Sequence, residues 1–208
     1  STGLKNDNVT FLYVSREGNL WAASNNGLAL IDVPAPISNF GERNGISGGV
    51  TGIARVNSTL FISTFQGLFY YNAVENNFKP VDGITTGCWS VIPYEKELLA
   101  ATSKGVYQVR GITSELIAGG TFYTLCRSLI HPSTVYAGQT GSVLILMKNA
   151  NKWETKELIT GISGEVMEIQ EDDNGSVWMN TPISGLFQYR PDDRDAVHRF
   201  DTTSGLPY

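Results

Sequence analysis

The sequence predicts an all-β protein built from five repeated units, each a small antiparallel sheet of four strands. A glycine recurs at the same place in every unit, flanked each time by a short apolar segment and a tight-turn pattern. The chain is also rich in Gly and aromatic residues, with 22 Gly, 9 Phe, 9 Tyr and 4 Trp among 208 residues. That balance is typical of many short strands joined by tight turns.

Each copy of the repeat is marked by a large apolar side chain and by a glycine a few residues after it. Residues 19–28 recur as residues 59–68 and 97–106, and two looser copies follow at 134–141 and 176–186. The repeated glycines are separated by 40, 38, 36 and 44 residues and are Gly27, Gly67, Gly105, Gly141 and Gly185. Four short strands in a unit of about 40 residues is the signature of a β-propeller blade.

Each blade is predicted to hold four strands in a fixed order. The first carries apolar side chains three residues apart, such as Val50 and Ile53, and ends in a turn whose Asn and Gly supply positive φ. The second carries the large residue, the repeated glycine closes the next hairpin, and the third and a weaker fourth follow. The predicted blades span approximately residues 4–46, 47–85, 86–120, 121–162 and 163–204.

Neighbouring blades are expected to stack face to face, because one blade cannot bury both faces of its sheet. The recurrent large residues are therefore interpreted as filler between blades rather than as ligand contacts: Trp21, Phe61, Tyr136 and Trp178. Residues 2–4 and 204–207 occupy the same place in the repeat, so the end of the chain is expected to begin a sixth unit of a longer array. A closed ring of five blades is the alternative.

Composition argues against several classes of partner. Lys and Arg number 15 against 20 Asp and Glu, for a net charge of -5, and no basic run is present. Nucleic acid and anionic membrane surfaces are therefore not expected partners. No apolar stretch approaches the roughly 18 residues that a membrane helix needs.

The residues that often carry chemistry are few and scattered. His131 and His198 lack a neighbouring nucleophile, so neither is predicted to be catalytic. Cys88 and Cys126 lack metal-ligand spacing and are interpreted as buried free thiols, with a single bridge as the alternative. The acidic residues 171–174 are interpreted as a hairpin turn rather than a calcium site. No catalytic residue, metal ligand or cofactor is predicted.

Units one and five together carry a recognisable family pattern. It consists of Asn8-Val9, the run from Gly18 to Ser24 that contains Trp21, and Gly27-Leu28; unit five repeats it from Ile169 to Trp178 and the chain ends with Gly205-Leu206-Pro207. This pattern resembles the two-component regulator propeller repeat, found in the sensor halves of hybrid two-component histidine kinases of Bacteroidetes. Units two to four depart from the pattern at the first turn.

The resemblance implies a segment of a seven-bladed propeller that senses ligands in the periplasm, as the extracytoplasmic part of an inner-membrane protein. It further implies an oligosaccharide ligand released from a glycan, a second propeller or sensor subunit as partner in a homodimer, and kinase activity elsewhere in the full-length protein. The membrane would be reached only through a downstream helix that this sequence does not contain. The segment itself is expected to bind rather than catalyse.

The ligand is expected on the face that collects the crossovers between blades and the loops between second and third strands. Exposed aromatic rings, amides and hydroxyls in these loops suit sugar recognition. The predicted contacts are three aromatic and four polar residues: Phe65, Trp89, Phe122, Gln66, Lys104, Gln139 and Glu165. A protein-interaction scaffold and a propeller glycosidase or lyase are the rival functions.

Overall fold

The computed structural model describes residues 9–16, 18–24, 27–31, 40–191 and 197–206. These residues form eighteen strands and two 3-10 turns, Glu42–Asn44 and Thr202–Ser204. The strands group into five antiparallel sheets, and within each sheet neighbouring strands are consecutive in the chain. The described residues contain no helix long and apolar enough to cross a membrane. The prediction of an all-β chain of repeated antiparallel sheets is confirmed.

The first sheet forms a compact unit of its own, residues 1–40. It contains strands β1 (Val9–Val14), β2 (Leu20–Ser24) and β3 (Gly27–Ile31), paired in that order. A fourth strand is expected between the third strand and the crossover of this blade, and residues 32–39 of that stretch lie outside the described residues. Residues 2–4 and 207, which belong to the repeat pattern at the two chain ends, lie outside the described residues as well.

The second compact unit, residues 41–208, holds the other four sheets. Blade two consists of β4 (Val50–Val56), β5 (Thr59–Thr64), β6 (Gly67–Asn72) and β7 (Asn77–Pro80). Blade three consists of β8 (Cys88–Tyr94), β9 (Glu97–Thr102), β10 (Gly105–Arg110) and β11 (Thr113–Gly119). Blade five consists of β15 (Glu168–Glu171), β16 (Val177–Thr181), β17 (Gly185–Tyr189) and β18 (Val197–Phe200).

Blade four has fewer but longer strands: β12 (Thr124–Arg127), β13 (Thr134–Asn149) and β14 (Lys152–Glu165). The backbone N–H of Lys148 donates to the Ser133 carbonyl at 2.8 Å, so the two ends of β13 lie side by side. Gly141, between them, has φ of 79°, which glycine adopts readily. β13 is therefore a hairpin that supplies the second and third strand segments of a four-stranded blade.

Close backbone approach explains the repeated glycine in blades three and five. A Cβ atom on Gly105 would lie 2.4 Å from the Ala118 carbonyl oxygen in the fourth strand of its blade. At Gly185 the corresponding distance is 2.4 Å, to the Phe200 carbonyl oxygen. A side chain at either position would push the outermost strand away, so packing requires glycine there. Gly185 also has φ of 87°, which glycine adopts readily.

Adjacent blades in the second unit are joined by buried apolar residues. Successive side chains of a strand point to opposite faces of the sheet. Leu98 therefore packs with residues of blade two, whereas Leu99 packs with residues of blade four. A third cluster joins blades four and five and includes Tyr136, Val143 and Met179. Of the predicted filler, Phe61 and Tyr136 are buried, while Trp21 and Trp178 are half-buried.

Glu97 of blade three and Lys148 of blade four form a nearly buried ion pair. Lys148 Nζ donates to Glu97 Oε2 at 2.8 Å, and Arg110 Nε donates to Oε1 at 2.7 Å; Gln108 donates as well. Burial alone would raise the pKa of Glu97, but the donors from Lys148, Arg110 and Gln108 outweigh it and lower the pKa to about 2. The Glu97 charge is therefore stabilised by residues of two blades.

Glu171 of blade five makes a second polar link between blades. Its carboxylate accepts hydrogen bonds from the Ser128 hydroxyl at 2.8 Å, the Tyr136 hydroxyl at 3.0 Å and the Ile130 N–H at 3.1 Å, and also from the Leu129 N–H. The Glu171 residue is 6% exposed. Burial, and then the Glu171 charge, raise the pKa of Tyr136.

The neighbouring acidic residue, Asp172, organises the first turn of blade five. Its carboxylate accepts from the backbone N–H groups of Asn174 and Ser176 at 3.0 and 2.9 Å and from the Trp178 indole at 2.9 Å. The Trp178 hydrogen bond is the main reason that the pKa of Asp172 is lowered. The interpretation of this segment as a hairpin turn is confirmed.

Candidate functional site: an aromatic strip on the loop face

The crossovers and the loops between second and third strands form one surface in the second unit, named here the loop face. Backbone hydrogen bonds join each crossover to such a loop: Phe65 N–H to Gly49 at 3.2 Å, Ser103 N–H to Gly87 at 2.9 Å, Gly120 N–H to Lys104 at 3.2 Å and Val166 N–H to Gln139 at 3.3 Å. The loops are thus held in place by the crossovers rather than extending freely into solvent.

A β-bulge places Trp89 at the start of the first strand of blade three. Cys88 pairs with Thr102 and Ser90 pairs with Ala101, so Trp89 has no cross-strand partner. In blade two the same bulge contains Thr51, whose hydroxyl donates to the Cys88 carbonyl of the next blade at 2.5 Å. Trp89 therefore occupies a position where blade two has a small residue that bonds within the scaffold.

Three aromatic rings from three consecutive blades form a continuous row, named here the aromatic strip: Phe65, Trp89 and Tyr123. The Phe65 and Trp89 centroids are 5.4 Å apart with planes at 66°, an edge-to-face contact. The Trp89 and Tyr123 centroids are 6.2 Å apart with planes at 50°. Phe65 is 56% exposed, so the strip is open to solvent at the blade-two end.

The strip ends in polar groups on its blade-four side. The Tyr123 hydroxyl donates to Glu165 Oε1 at 3.1 Å and lies 3.3 Å from the Thr140 hydroxyl. Glu165 is exposed, and it forms no ion pair with any described residue. A carboxylate thus lies at the end of a row of rings, and no cation among the described residues pairs with it.

The Trp89 indole N–H is buried and has no hydrogen-bond partner among the described residues. A buried donor without a partner typically costs about 1–3 kcal/mol. Gly87 packs against the same ring, since a Cβ atom on it would lie 3.3 Å from Trp89 Cζ2. The glycine leaves room for the indole beneath the crossover, and the indole retains an unused donor at the centre of the strip.

The remaining predicted contacts are spread around the strip. Gln66 accepts a hydrogen bond from the Ser47 hydroxyl, and Gln139 donates to the Ser142 hydroxyl at 2.7 Å. The Lys104 residue is exposed in the loop of blade three. These residues share the loop face with the strip, and Gln66 and Gln139 make hydrogen bonds within it.

Phe122 was predicted to contact a ligand on the loop face, but its side chain is not exposed there. Its side chain is 1% exposed and packs among Leu125, Val135 and other buried residues between blades three and four. Its ring therefore presents no surface to a ligand, because the crossover directs the apolar side chain into the interface between blades. Burial of so large a ring is the more favourable outcome wherever the backbone permits it.

Tyr123 takes the place in the strip that was expected for Phe122. In the repeat, Tyr123 stands at the first-strand position that Cys88 and Val166 hold in blades three and five. The signal that distinguishes it is chemical: a phenol replaces a small apolar residue at one end of the strand, and a partly buried phenol needs a hydrogen-bond partner. Glu165 and Thr140 supply it.

The chemistry of the site is suited to binding. The aromatic strip and the predicted contact residues contain one carboxylate, that of Glu165. Glycoside hydrolysis usually needs two. Cys88, directly beside Trp89, is buried, and burial raises its pKa to about 12, which keeps the thiol protonated. The described residues include no cluster of side chains that could hold a metal ion.

The five antiparallel sheets define a segment of a β-propeller. Residues 3–26 match the family model described as the two component regulator propeller, which confirms the resemblance drawn from the sequence. No curated protein sequence matches the chain.

Solved structures with the same fold include two extracellular domains from B. thetaiotaomicron. The extracellular domain of the hybrid two component system BT4673 has a TM-score of 0.64 and 16% identity, covering 98% of this chain and 29% of that one. The domain of BT3049 has a TM-score of 0.55 and 18% identity, covering 91% of this chain and 29% of that one. PorZ, a surface component of the type-IX secretion system of Porphyromonas gingivalis, has a TM-score of 0.53 and 13% identity, covering 87% of this chain and 26% of that one.

The chain thus spans less than a third of the length of these three structures. At 13–18% identity, the similarity between this chain and the three structures shows a shared fold alone.

Proposed function

We propose that this chain is part of the extracytoplasmic sensor of a hybrid two-component system and that it binds an oligosaccharide on the aromatic strip. The matched propeller repeat and the fold shared with extracellular domains of such systems support the sensor role. The observation that carries the binding role is the row of three rings from three blades, ending in Tyr123 and Glu165. The protein lies in the periplasm in this proposal.

Sugar rings suit such a surface for two reasons. Their C–H faces stack on aromatic rings, and their hydroxyls both donate and accept hydrogen bonds. The exposed Phe65 ring can stack on a sugar face, while the Glu165 carboxylate can accept hydrogen bonds from sugar hydroxyls. Because the contacts come from blades two, three and four, a bound ligand would restrain these blades relative to one another.

Signalling requires that the ligand bind one arrangement of the sensor more tightly than another. A second propeller or a second sensor subunit, as in a homodimer, would supply the other half of that arrangement. The kinase module belongs to the full-length protein in this proposal, and this segment acts by binding.

The test is titration calorimetry of the purified chain with a panel of oligosaccharides, together with an assay for product release. Binding without turnover supports a sensor, whereas release of shorter sugars supports the glycosidase alternative. Phe65→Ala should weaken binding about two- to tenfold, since an aromatic contact contributes about 0.5–1.5 kcal/mol. Leu116→Ala is the matched control, because Leu116 is 52% exposed on the outermost strand of blade three.

A protein-interaction scaffold is the second candidate, and an exposed apolar pair favours it. Leu129 and Ile130 are 68% and 46% exposed, yet the Glu171 carboxylate holds both of their N–H groups. An apolar tip with a fixed backbone suits contact with a polypeptide. If Leu129→Asp abolishes recovery of a partner while Phe65→Ala leaves it unchanged, the scaffold function is favoured.

A further inference from the structure

We propose that the aromatic strip takes a ligand carrying a positively charged amine and that Glu165 selects it. This inference rests on the proposed function, because it names the chemical class of the ligand for the same site. An amine-bearing saccharide satisfies both proposals.

The strip offers the aromatic surface that cations prefer. The faces of Trp, Tyr and Phe attract an ammonium group through the ring quadrupole, and the attraction increases when several rings are close together. Phe65, Trp89 and Tyr123 meet with interplanar angles of 66° and 50°, so their faces and edges point in different directions. A small cation that lies between two of these rings can therefore contact the face of one of them.

Glu165 adds a negative charge at the end of the same row. Tyr123 occupies its Oε1 atom at 3.1 Å, whereas no hydrogen bond from a described residue reaches Oε2. Lys104, the one cation among the predicted contacts, forms no ion pair with Glu165. The free carboxylate oxygen attracts an ammonium group and repels a carboxylate or sulfate.

The phenol of Tyr123 connects the two features. It belongs to the strip through its ring and binds Glu165 through its hydroxyl, and the Thr140 hydroxyl lies 3.3 Å away. The carboxylate is therefore positioned by groups already in place, so little side-chain entropy is lost when a ligand binds there. Such an arrangement favours an amine over an uncharged group of the same size.

The test compares two probes that differ in the charged amine. A glucosamine tetramer and an N-acetylglucosamine tetramer are titrated into the purified chain by calorimetry, with a tetramer of uronic acids as the anionic probe. The amine tetramer should bind about tenfold more tightly than the acetylated one, from a cation–π contact and an exposed ion pair together. The uronic acid tetramer should bind more weakly than both.

Glu165→Gln should reduce the preference for the amine tetramer to about twofold or less, with little effect on the acetylated tetramer. Glu168→Gln is the matched control: Glu168 is exposed on β15, and its substitution changes the net charge of the protein by the same amount. It should leave the preference unchanged, which separates a local effect from attraction to a protein of net charge -5.

Equal affinity for the two tetramers, or a preference that persists in Glu165→Gln, overturns this inference and leaves oligosaccharide binding standing. If neither of these tetramers nor any sugar in the wider panel binds, the proposed function fails, and this inference fails with it.

Discussion

Lys148 donates a hydrogen bond to Glu97 of the neighbouring blade, with 2.8 Å between Nζ and Oε2. The two side chains are 8% and 18% exposed, so the pair lies largely in the interface between blades three and four. Lys148 Nζ also lies 5.0 Å from the centroid of the Trp153 ring, which adds a cation–π contact. Stability of this interface should therefore depend on a charge pair as well as on apolar packing.

Lys148→Met should destabilise the protein by about 2 kcal/mol, because the largely buried Glu97 carboxylate loses one of its two cations and keeps only Arg110. Urea denaturation followed by Trp fluorescence measures the change. Lys79→Met is the control, since Lys79 pairs with Glu75 at an exposed site within one blade. Equal losses in the two variants would contradict the importance of burial.

The pH dependence of stability should show the lowered pKa of Glu97. A carboxyl group with a folded pKa of about 2 and an ordinary value of 4.5 stabilises the fold above pH 4.5, and that stabilisation is lost as the pH falls toward 2. The free energy of unfolding, measured between pH 6 and pH 2.5, should therefore decline more steeply in the wild type than in Glu97→Gln. Parallel curves would argue against this assignment.

Glu171→Gln should destabilise the protein by about 2 kcal/mol. The amide keeps the shape of the carboxylate but places an N–H₂ group toward donors that need an acceptor. Glu168→Gln, on the same strand but exposed, should change the free energy of unfolding by less than about 0.5 kcal/mol. If both substitutions cost the same, the hydrogen bonds from blade four to Glu171 contribute little.

Gly105→Ala should destabilise the protein by at least about 2 kcal/mol, because its Cβ would meet the Ala118 carbonyl oxygen at 2.4 Å. Gly119→Ala lies in the same blade, and a Cβ there has no heavy atom within 4 Å. It should be nearly neutral. Thermal unfolding of the two variants side by side distinguishes a packing requirement for glycine from a general cost of losing glycine.

The repeat made most of the fold predictable from sequence. The regular spacing of the glycines marks the hairpins in the sequence. Glycine recurs at Gly105 and Gly185 because the fourth strand of the blade passes close to each of them. The turn at Asp172 could also be predicted from the sequence, since its hydrogen bonds join residues that are close together in the chain. Features that depend on residues near one another in the chain were therefore within reach of the sequence.

Contacts between blades were not predictable in the same way. Whether Glu171 lies in solvent or accepts donors from blade four depends on how two sheets are rotated against each other, which no repeat specifies. The site shows the same limit. The edge-to-face contact of Phe65 with Trp89 joins two predicted residues, whereas burial of Phe122 and the reach of Tyr123 to Glu165 depend on the path of one crossover.

The bulge at Trp89 also bears on how such a surface can diversify. A residue in a bulge takes no part in the ladder, so the strand pairs in the same register whether that place holds Thr51, as in blade two, or Trp89, as in blade three. Threonine and tryptophan differ greatly in size, yet both are accommodated at the mouth of a blade. Under the proposed function, ligand specificity could therefore be altered by exchanging this one side chain without changing the pairing of the strands.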